Sequence, residues 1–320
     1  MASSEPLITV VVPAYNSVDT LGGTLTSVLT QTYPRVEIVV VDDGSTDETP
    51  ALLAAYETKV RHVRQDNAGL SATRNAGARL ATGDLVAFVD ADDILLPQYL
   101  ERLLARWQAA GGGRRAAASN AYFLRPEGVS IFRTMAASHF PPQADQRLAI
   151  LQGNFLSAFM MFPTQLYLDL GGCDETFRCA EDWDLWLRAI YTGVEAVFQP
   201  KPQALYRWRP GSLSANADAM IEAEDRLLRR ARAEHGAGMD EPCRQFLDLR
   251  LRNGSPRALQ RQAEEALARG EYGTARRLFG EASAMVPRDW KLRSRYASMT
   301  AFPPAARWWR RRLDGAERSL

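Results

Sequence analysis

Val36-Glu37-Ile38-Val39-Val40-Val41-Asp42-Asp43-Gly44 runs through six residues with one charge among them, then stops on two carboxylates and a glycine. A β-branched run this apolar has no polar face to offer water, so it reads as a strand covered on both sides, as in parallel sheets. Upstream, residues 7–12 form a similar run ending at Pro13, and Leu21, Leu25, Val28 and Leu29 between the two fall at helical spacing. Downstream the unit recurs: a helix over 49–56, a short strand over 60–64, a helix over 71–80, and a buried strand over 85–89 that stops at Asp90. Such alternation indicates an open, mainly parallel α/β sheet, in which ligands bind beyond the carboxyl ends of the strands. Both Asp-Asp pairs stand at ends of that kind. Residues 156–162 read as another strand and 183–190 as an amphipathic helix opened by Glu181-Asp182. Past about Asn216 the strand signal disappears, and 217–300 reads as helices broken near 236–242 and 253–256. There Ala263, Leu267, Gly270, Tyr272, Ala275, Phe279, Ala282 and Pro287 follow the spacing of one tetratricopeptide-like hairpin. A single unit cannot bury its own apolar face and is expected to pack on the first domain. The expected domains are 1–215 and 216–320.

Bulk composition narrows the class. Hydrophobic residues make up 46% and charged residues 24%, as in an ordinary globular chain. No apolar stretch approaches the roughly 20 residues that span a bilayer, and residues 1–6 lack the basic-then-apolar pattern of a secretory leader. The expected location is cytoplasmic, at the inner face of the membrane if the C-terminal tail makes a peripheral contact there. Cys173, Cys179 and Cys243 do not amount to a disulfide framework. His62, His139 and His235 are scattered, which disfavours a histidine zinc site and leaves carboxylates to hold any metal. The net charge of +1 conceals −6 over residues 1–220 and +7 over 221–320, a split that suits two parts with different partners. The basic groups are overwhelmingly arginine, which reads as genome composition rather than as a phosphate-binding device, and no nucleic-acid partner is expected.

Asp90-Ala91-Asp92-Asp93 places three carboxylates within four residues, directly after an apolar strand. Unpaired, they repel and raise one another's pKa values. A divalent cation relieves that repulsion, and hard oxygen ligands favour Mg²⁺ or Mn²⁺. Such an ion bridges phosphates and stabilises a departing diphosphate. The plainer use of the same residues is a solvated turn capping a helix over 97–107. Asp43 also admits two readings. It accepts hydrogen bonds from a base or ribose, as acidic residues do in dinucleotide sites, or it belongs to a turn whose Ser45, Thr46 or Asp47 caps the next helix. Residues 67–75 open a helix after a small-residue turn, and this is either a plain capped surface helix or an N-terminus that favours anions, with Arg74 of the first turn reaching a phosphate. Glu181 and Asp182 either complement the dipole of the helix they begin, or Asp182 acts as a general base toward a weakly nucleophilic hydroxyl.

In their order and spacing these segments resemble the family 2 glycosyltransferases, which have the nucleotide-diphospho-sugar transferase (GT-A) fold. The matching residues are Val11-Val12-Pro13-Ala14-Tyr15-Asn16, then Val39 through Asp47, Gly69 through Asn75, Gly83-Asp84, and Phe88-Val89-Asp90-Ala91-Asp92-Asp93. Gly171-Gly172 with Asp174-Glu175 and the run from Glu181 to Arg188 complete the set, which spans roughly residues 7–215. The resemblance implies a Rossmann-like open mixed sheet flanked by helices, followed by a C-terminal helical region. It implies inverting transfer of a sugar from a nucleotide-diphosphate donor, UDP in most relatives, to a hydroxyl of a glycan or lipid-linked acceptor in bacterial surface-glycan assembly. By the same likeness Pro13, Tyr15 and Asp43 line the base and ribose pocket, with Asn16, Asn67 and Gly69 in the donor site and Arg74 helping to hold the donor. Asp92 is the main carboxylate for Mn²⁺ or Mg²⁺, Asp90 and Asp93 contribute to the donor site, and Asp182 is the catalytic base. Two departures stand out. Arg209, in Tyr206-Arg207-Trp208-Arg209, occupies the place where many relatives have a histidine; it can bind diphosphate oxygens but cannot ligate a metal. The Gln-x-x-Arg-Trp motif of processive synthases is absent, Gln203 and Arg207-Trp208 being one residue out of register, so transfer is expected to be non-processive.

Two rivals use the same features. A non-catalytic member working as a scaffold through its helical tail would need a lost carboxylate, yet Asp43, Asp92 and Asp182 are all present. A nucleotidyltransferase shares the broad fold and metal chemistry but has no call for Glu181-Asp182 at that place. The final run Trp308-Trp309-Arg310-Arg311-Arg312 has the composition of a segment resting on an anionic membrane surface, or of one packed on protein.

Overall fold

Strand β1 (Ile8–Ala14) is buried at every position, with β2 (Val36–Asp42) parallel on one side and β4 (Leu85–Phe88) parallel on the other. β3 (Arg61–Arg64) pairs with the outer side of β2. The computed structural model describes residues 5–134, 140–208, 216–286 and 290–301, and the chain divides into two compact units, Met1–Ala215 and Asn216–Leu320. In the first unit the side chains of Val10 and Val12 join Leu21, Leu25 and Val28 of helix α1 (Val18–Leu29) and Leu100 and Leu103 of α4 (Tyr99–Ala109) in one apolar cluster. Val11 points to the opposite face, against α3 (Leu70–Leu80). There a Cβ on Gly77 would lie 2.2 Å from Val11 Cγ1, so only glycine allows the helix to come this close. The continuous apolar runs follow from this double cover.

Beyond β4 the sheet turns mixed. β8 (Met160–Pro163) runs antiparallel to β4, β6 (Arg115–Arg125) antiparallel to β8, β9 (Glu195–Arg207) parallel to β6, and β5 (Ile94–Leu95) antiparallel to β9. The order is β3-β2-β1-β4-β8-β6-β9-β5, with β7 (Gly128–Thr134) paired to β6. This is the GT-A arrangement expected from the sequence. The strand anticipated over 156–162 begins only at Met160. Strands β6 and β9 give little signal because one starts on alanines, which carry no strand preference, and the other contains Pro200 and Pro202. Pairing jumps from Ser119↔Gln199 to Ala121↔Ala204, so the two prolines lie where the ladder is interrupted.

The second unit contains α8 (Ala217–His235), α9 (Glu241–Asn253), α10 (Pro256–Ala268), α11 (Tyr272–Met285) and α12 (Trp290–Ala301). Asn216, Asp240 and Ser255 cap α8, α9 and α10, each side chain accepting a backbone N–H from the first turn. Leu259, Ala263 and Leu267 on α10 and Ala275, Phe279 and Ala282 on α11 form buried faces. Pro287, which ends the hairpin pattern, and the segment from Trp308 to Arg312 lie outside the described residues. No helix among the described residues is long and apolar enough to cross a membrane.

Candidate active site

The site grows from a gap in the sheet. Val11 accepts a backbone hydrogen bond from Val89 and Ala14 accepts one from Asp43, so Val11 and Pro13 face β4 while Ala14 faces β2. β4 pairs with β1 only as far as Val11↔Phe88. Pro13 therefore lacks its N–H where no ladder partner remains, and costs nothing there. The strand order 3-2-1-4 reverses direction at this junction, so β1 and β4 part into the crevice where such sheets bind ligands.

Loops from three strand ends line that crevice. Pro13 is itself buried, paired with Val41, whereas the ring of Tyr15 is 51% exposed. Asn16 adopts a φ of 46° and its Oδ1 accepts the Thr46 amide at 2.8 Å, which ties the β1 loop to the β2 loop. Its carbonyl is thus occupied in shaping the rim. Asp43 is buried; its Oδ1 accepts from Gln65 and from Ala68 N, and its Oδ2 from Gly69 N at 2.9 Å. Gly69, at a φ of 91°, delivers its N–H to that carboxylate while starting α3, a backbone conformation that side chains other than glycine's rarely adopt. Asn67 and Gly69 are exposed on the same turn.

The three carboxylates of the acidic turn have separate environments. Asp93 is buried, and its Oδ1 accepts the backbone N–H of Arg207 at 2.8 Å. Burial, with Asp90 and Asp92 adding to it, pushes its carboxyl well above the usual carboxylate range. Asp90 is ion-paired to Arg74 at 2.7 Å. Asp92 is half-buried, and its carbonyl accepts from Arg207 Nε at 2.8 Å. Arg74 is buried, its side chain 1% exposed, and its two terminal nitrogens go to Asp90 and, at 2.6 Å, to Glu181. It is a bridge between the acidic turn and helix α7 (Glu181–Tyr191). Next to it Asn75 ties α3 to the loop at 173–175, donating to Cys173 O at 2.8 Å and Glu175 at 3.1 Å while accepting from Tyr167 and Cys173 N.

Asp182 sits one residue past Glu181 in the first turn of α7, after Ala180 at a left-handed φ of 60°. Its Oδ1 accepts the Trp183 amide at 2.8 Å and its Oδ2 accepts from Asn154 at 3.0 Å. Burial first, and the neighbouring Glu181 charge second, push its carboxyl up to about 7, although Arg74 and the two hydrogen bonds oppose them. A carboxylate that takes a proton near neutrality suits general-base work.

Among the described residues no three His, Cys, Asp or Glu side chains gather to hold an ion. Asp92, half-buried in the acidic turn, could share a cation with a ligand's phosphates. That donor set fits Mg²⁺ or Mn²⁺, which commonly take one or two carboxylates plus phosphate oxygens. Arg209 lies outside the described residues. Asn154 and Gln65 were not singled out in the sequence, and Asn75 only as the end of the segment 67–75: each acts through a partner at least 22 residues distant, for which a single chain carries no spacing signal.

Comparison with known proteins agrees with this architecture. Residues 9–152 match the model of glycosyl transferase family 2. The chain is 32% identical over 247 residues to the succinoglycan biosynthesis protein ExoO of Rhizobium meliloti, covering 70% of this chain and 69% of that one. It is 30% identical over 286 residues to glycosyltransferase GlyA of Streptococcus pneumoniae, covering 79% of this chain and 39% of the relative's length. Among solved structures, S. aureus TarS 1–349 in complex with UDP-GlcNAc superposes with a TM-score of 0.64 at 21% identity, over 98% of this chain and 92% of that one.

Proposed function

The chain belongs to glycosyl transferase family 2, and from that premise we propose that it is an inverting, non-processive enzyme moving a sugar from a UDP-sugar to an acceptor hydroxyl in surface-glycan assembly. One observation carries the reading: buried Arg74 pairs at once with Asp90 of the acidic turn and Glu181 beside Asp182. A donor's diphosphate at the turn and an acceptor's hydroxyl at the helix would therefore lie on two sides of one rigid bridge. The succinoglycan relative and the UDP-GlcNAc complex of the structural neighbour support the setting and the donor.

In this reading the exposed ring of Tyr15 stacks on the base or ribose, and the rim at Asp43, Asn67 and Gly69 closes around them. Asp92 would hold a divalent cation, which when bound supplies positive charge to the departing diphosphate. Asp182 takes the proton of the acceptor hydroxyl while its oxygen attacks the anomeric carbon on the face opposite the diphosphate. Since Glu181 is committed to Arg74, Asp182 is the carboxylate of the pair left to accept that proton. The acceptor is a glycan or lipid-linked hydroxyl, met on the cytoplasmic side of the membrane.

Calorimetry with UDP and other nucleoside diphosphates, with and without Mn²⁺, tests the donor half. Metal-dependent UDP binding that is lost in Asp92→Ala is the expected result. A folded protein that binds no nucleotide would return the scaffold reading, and release of pyrophosphate from a nucleoside triphosphate and a sugar 1-phosphate, in place of UDP from a nucleotide sugar, would return the nucleotidyltransferase.

A further inference from the structure

Asn154 lies in the loop between α5 (Gln146–Gln152) and β8, a region that no motif reaches. Its amide is oriented by its own contacts. Oδ1 accepts the Leu156 backbone N–H at 3.2 Å, so Nδ2 is turned away from Leu156 and donates to Asp182 Oδ2 at 3.0 Å. Four residues earlier, Ile150 O accepts the Trp183 indole N–H at 2.7 Å, a second tie between the same stretch of chain and the first turn of α7. The α7 turn needs such ties, because Ala180 before it is held at a left-handed φ of 60°.

We propose that Asn154 is the positioning residue of the base: from the loop before β8, its amide fixes the orientation of the Asp182 carboxylate. The inference rests on Asp182 being the base. The charged groups facing Asp182 come from two elements, Glu181 on its own helix and Arg74 on α3, with the Cys173 thiol in the loop after α6 (Thr164–Asp169). Glu181 and burial favour the protonated acid, while Arg74 favours the carboxylate. Asn154 adds a neutral donor aimed at one oxygen, which also favours the carboxylate and leaves each oxygen a lone pair for the incoming proton. Removing that donor therefore raises the pH at which Asp182 ionises, and lets the carboxylate swing about its side-chain torsions.

The test is titration of the full chain labelled with ¹³C at the aspartate carboxyl carbon, the Asp182 resonance being assigned by its loss in Asp182→Asn. Asn154→Leu, which removes the donor and admits no water, is expected to move the Asp182 midpoint upward by about one to two pH units, since hydrogen bonds to charged groups are among the stronger ones. Asn154→Ala serves if the leucine variant does not fold, with an upward move in the same direction. Unchanged midpoints in the folded variants would overturn the assignment of Asn154. Full turnover of donor by Asp182→Asn would overturn the base reading itself, whatever the titration of Asn154→Leu shows.

Discussion

Asp182 and Glu181 are neighbours on one turn, and their surroundings give them different work. Glu181 is fixed by a buried guanidinium at 2.6 Å, whereas burial and that same Glu181 charge lift the Asp182 carboxyl to about 7. Two consequences follow with definite sign. On the proposed reading of Asp182 as the base, its ionised form is the active one, so kcat/KM should rise with pH through a midpoint near 7 and level off above it. Asp182→Asn should lower turnover by about 10²- to 10⁴-fold, measured as UDP release in the presence of acceptor. For stability the direction is reversed. A carboxyl whose folded pKa lies above its unfolded value contributes stability that is present below the unfolded pKa and is lost as pH rises through the folded one. Wild-type protein should therefore lose thermal stability relative to Asp182→Asn as pH goes from 4 to 8, and a parallel pair of melting curves across that range would contradict the raised pKa. Arg74 supplies the second residue-scale prediction. Replacing it with methionine leaves Asp90 and Glu181 facing each other without their common cation. The expected cost is about 3–5 kcal/mol in urea unfolding, the range for breaking a buried pair from one side; a loss under 1 kcal/mol would mean the bridge carries no weight.

At the scale of elements, the approach of α3 to β1 is what brings Arg74 under the acidic turn. Gly77 allows it, since its Cβ would meet Val11 Cγ1 at 2.2 Å, a separation no real contact shows. Gly77→Ala should push the helix outward and destabilise the fold by about 1–3 kcal/mol. In a Val11→Ala background the same change should cost markedly less, because the obstructing methyl groups are gone; equal costs in the two backgrounds, by a double-mutant cycle in urea, would refute the contact. The same elements show what a sequence discloses and what it withholds. The parallel half of the sheet was legible because double burial leaves its strands without polar alternation, and the strand ends were legible because carboxylates follow them at once. The other half was not. β6 opens on Arg115 and three buried alanines, and β9 carries two prolines at a break in its ladder. At the site, Asp43, Asp92 and Asp182 stood out by motif. Which side chains pair with which did not, since Arg74 meets Glu181 across 107 residues and Asn154 meets Asp182 across 28, joined only by folding.

On the scale of the molecule, every residue proposed here to touch the donor belongs to the unit Met1–Ala215, and that unit has its own core, in which all members precede Asn216. The second unit likewise buries its own apolar faces and closes Arg250 over Glu224 and Asp225. It also carries the opposite net charge, as the excess of arginine after residue 220 requires. If donor recognition is confined to the first unit, a fragment ending at residue 215 should bind UDP with a Kd within about threefold of the full chain, since a 1.4 kcal/mol difference would already be tenfold. UDP at a hundred times its Kd should then stabilise the fragment and the full chain by the same amount, about 2.7 kcal/mol, because that gain depends only on affinity for the folded state. Transfer to an acceptor is a separate quantity. Retained UDP affinity with lost transfer would assign the helical unit to the acceptor, whereas a folded fragment that has lost UDP affinity would mean that the donor site draws on residues beyond 215.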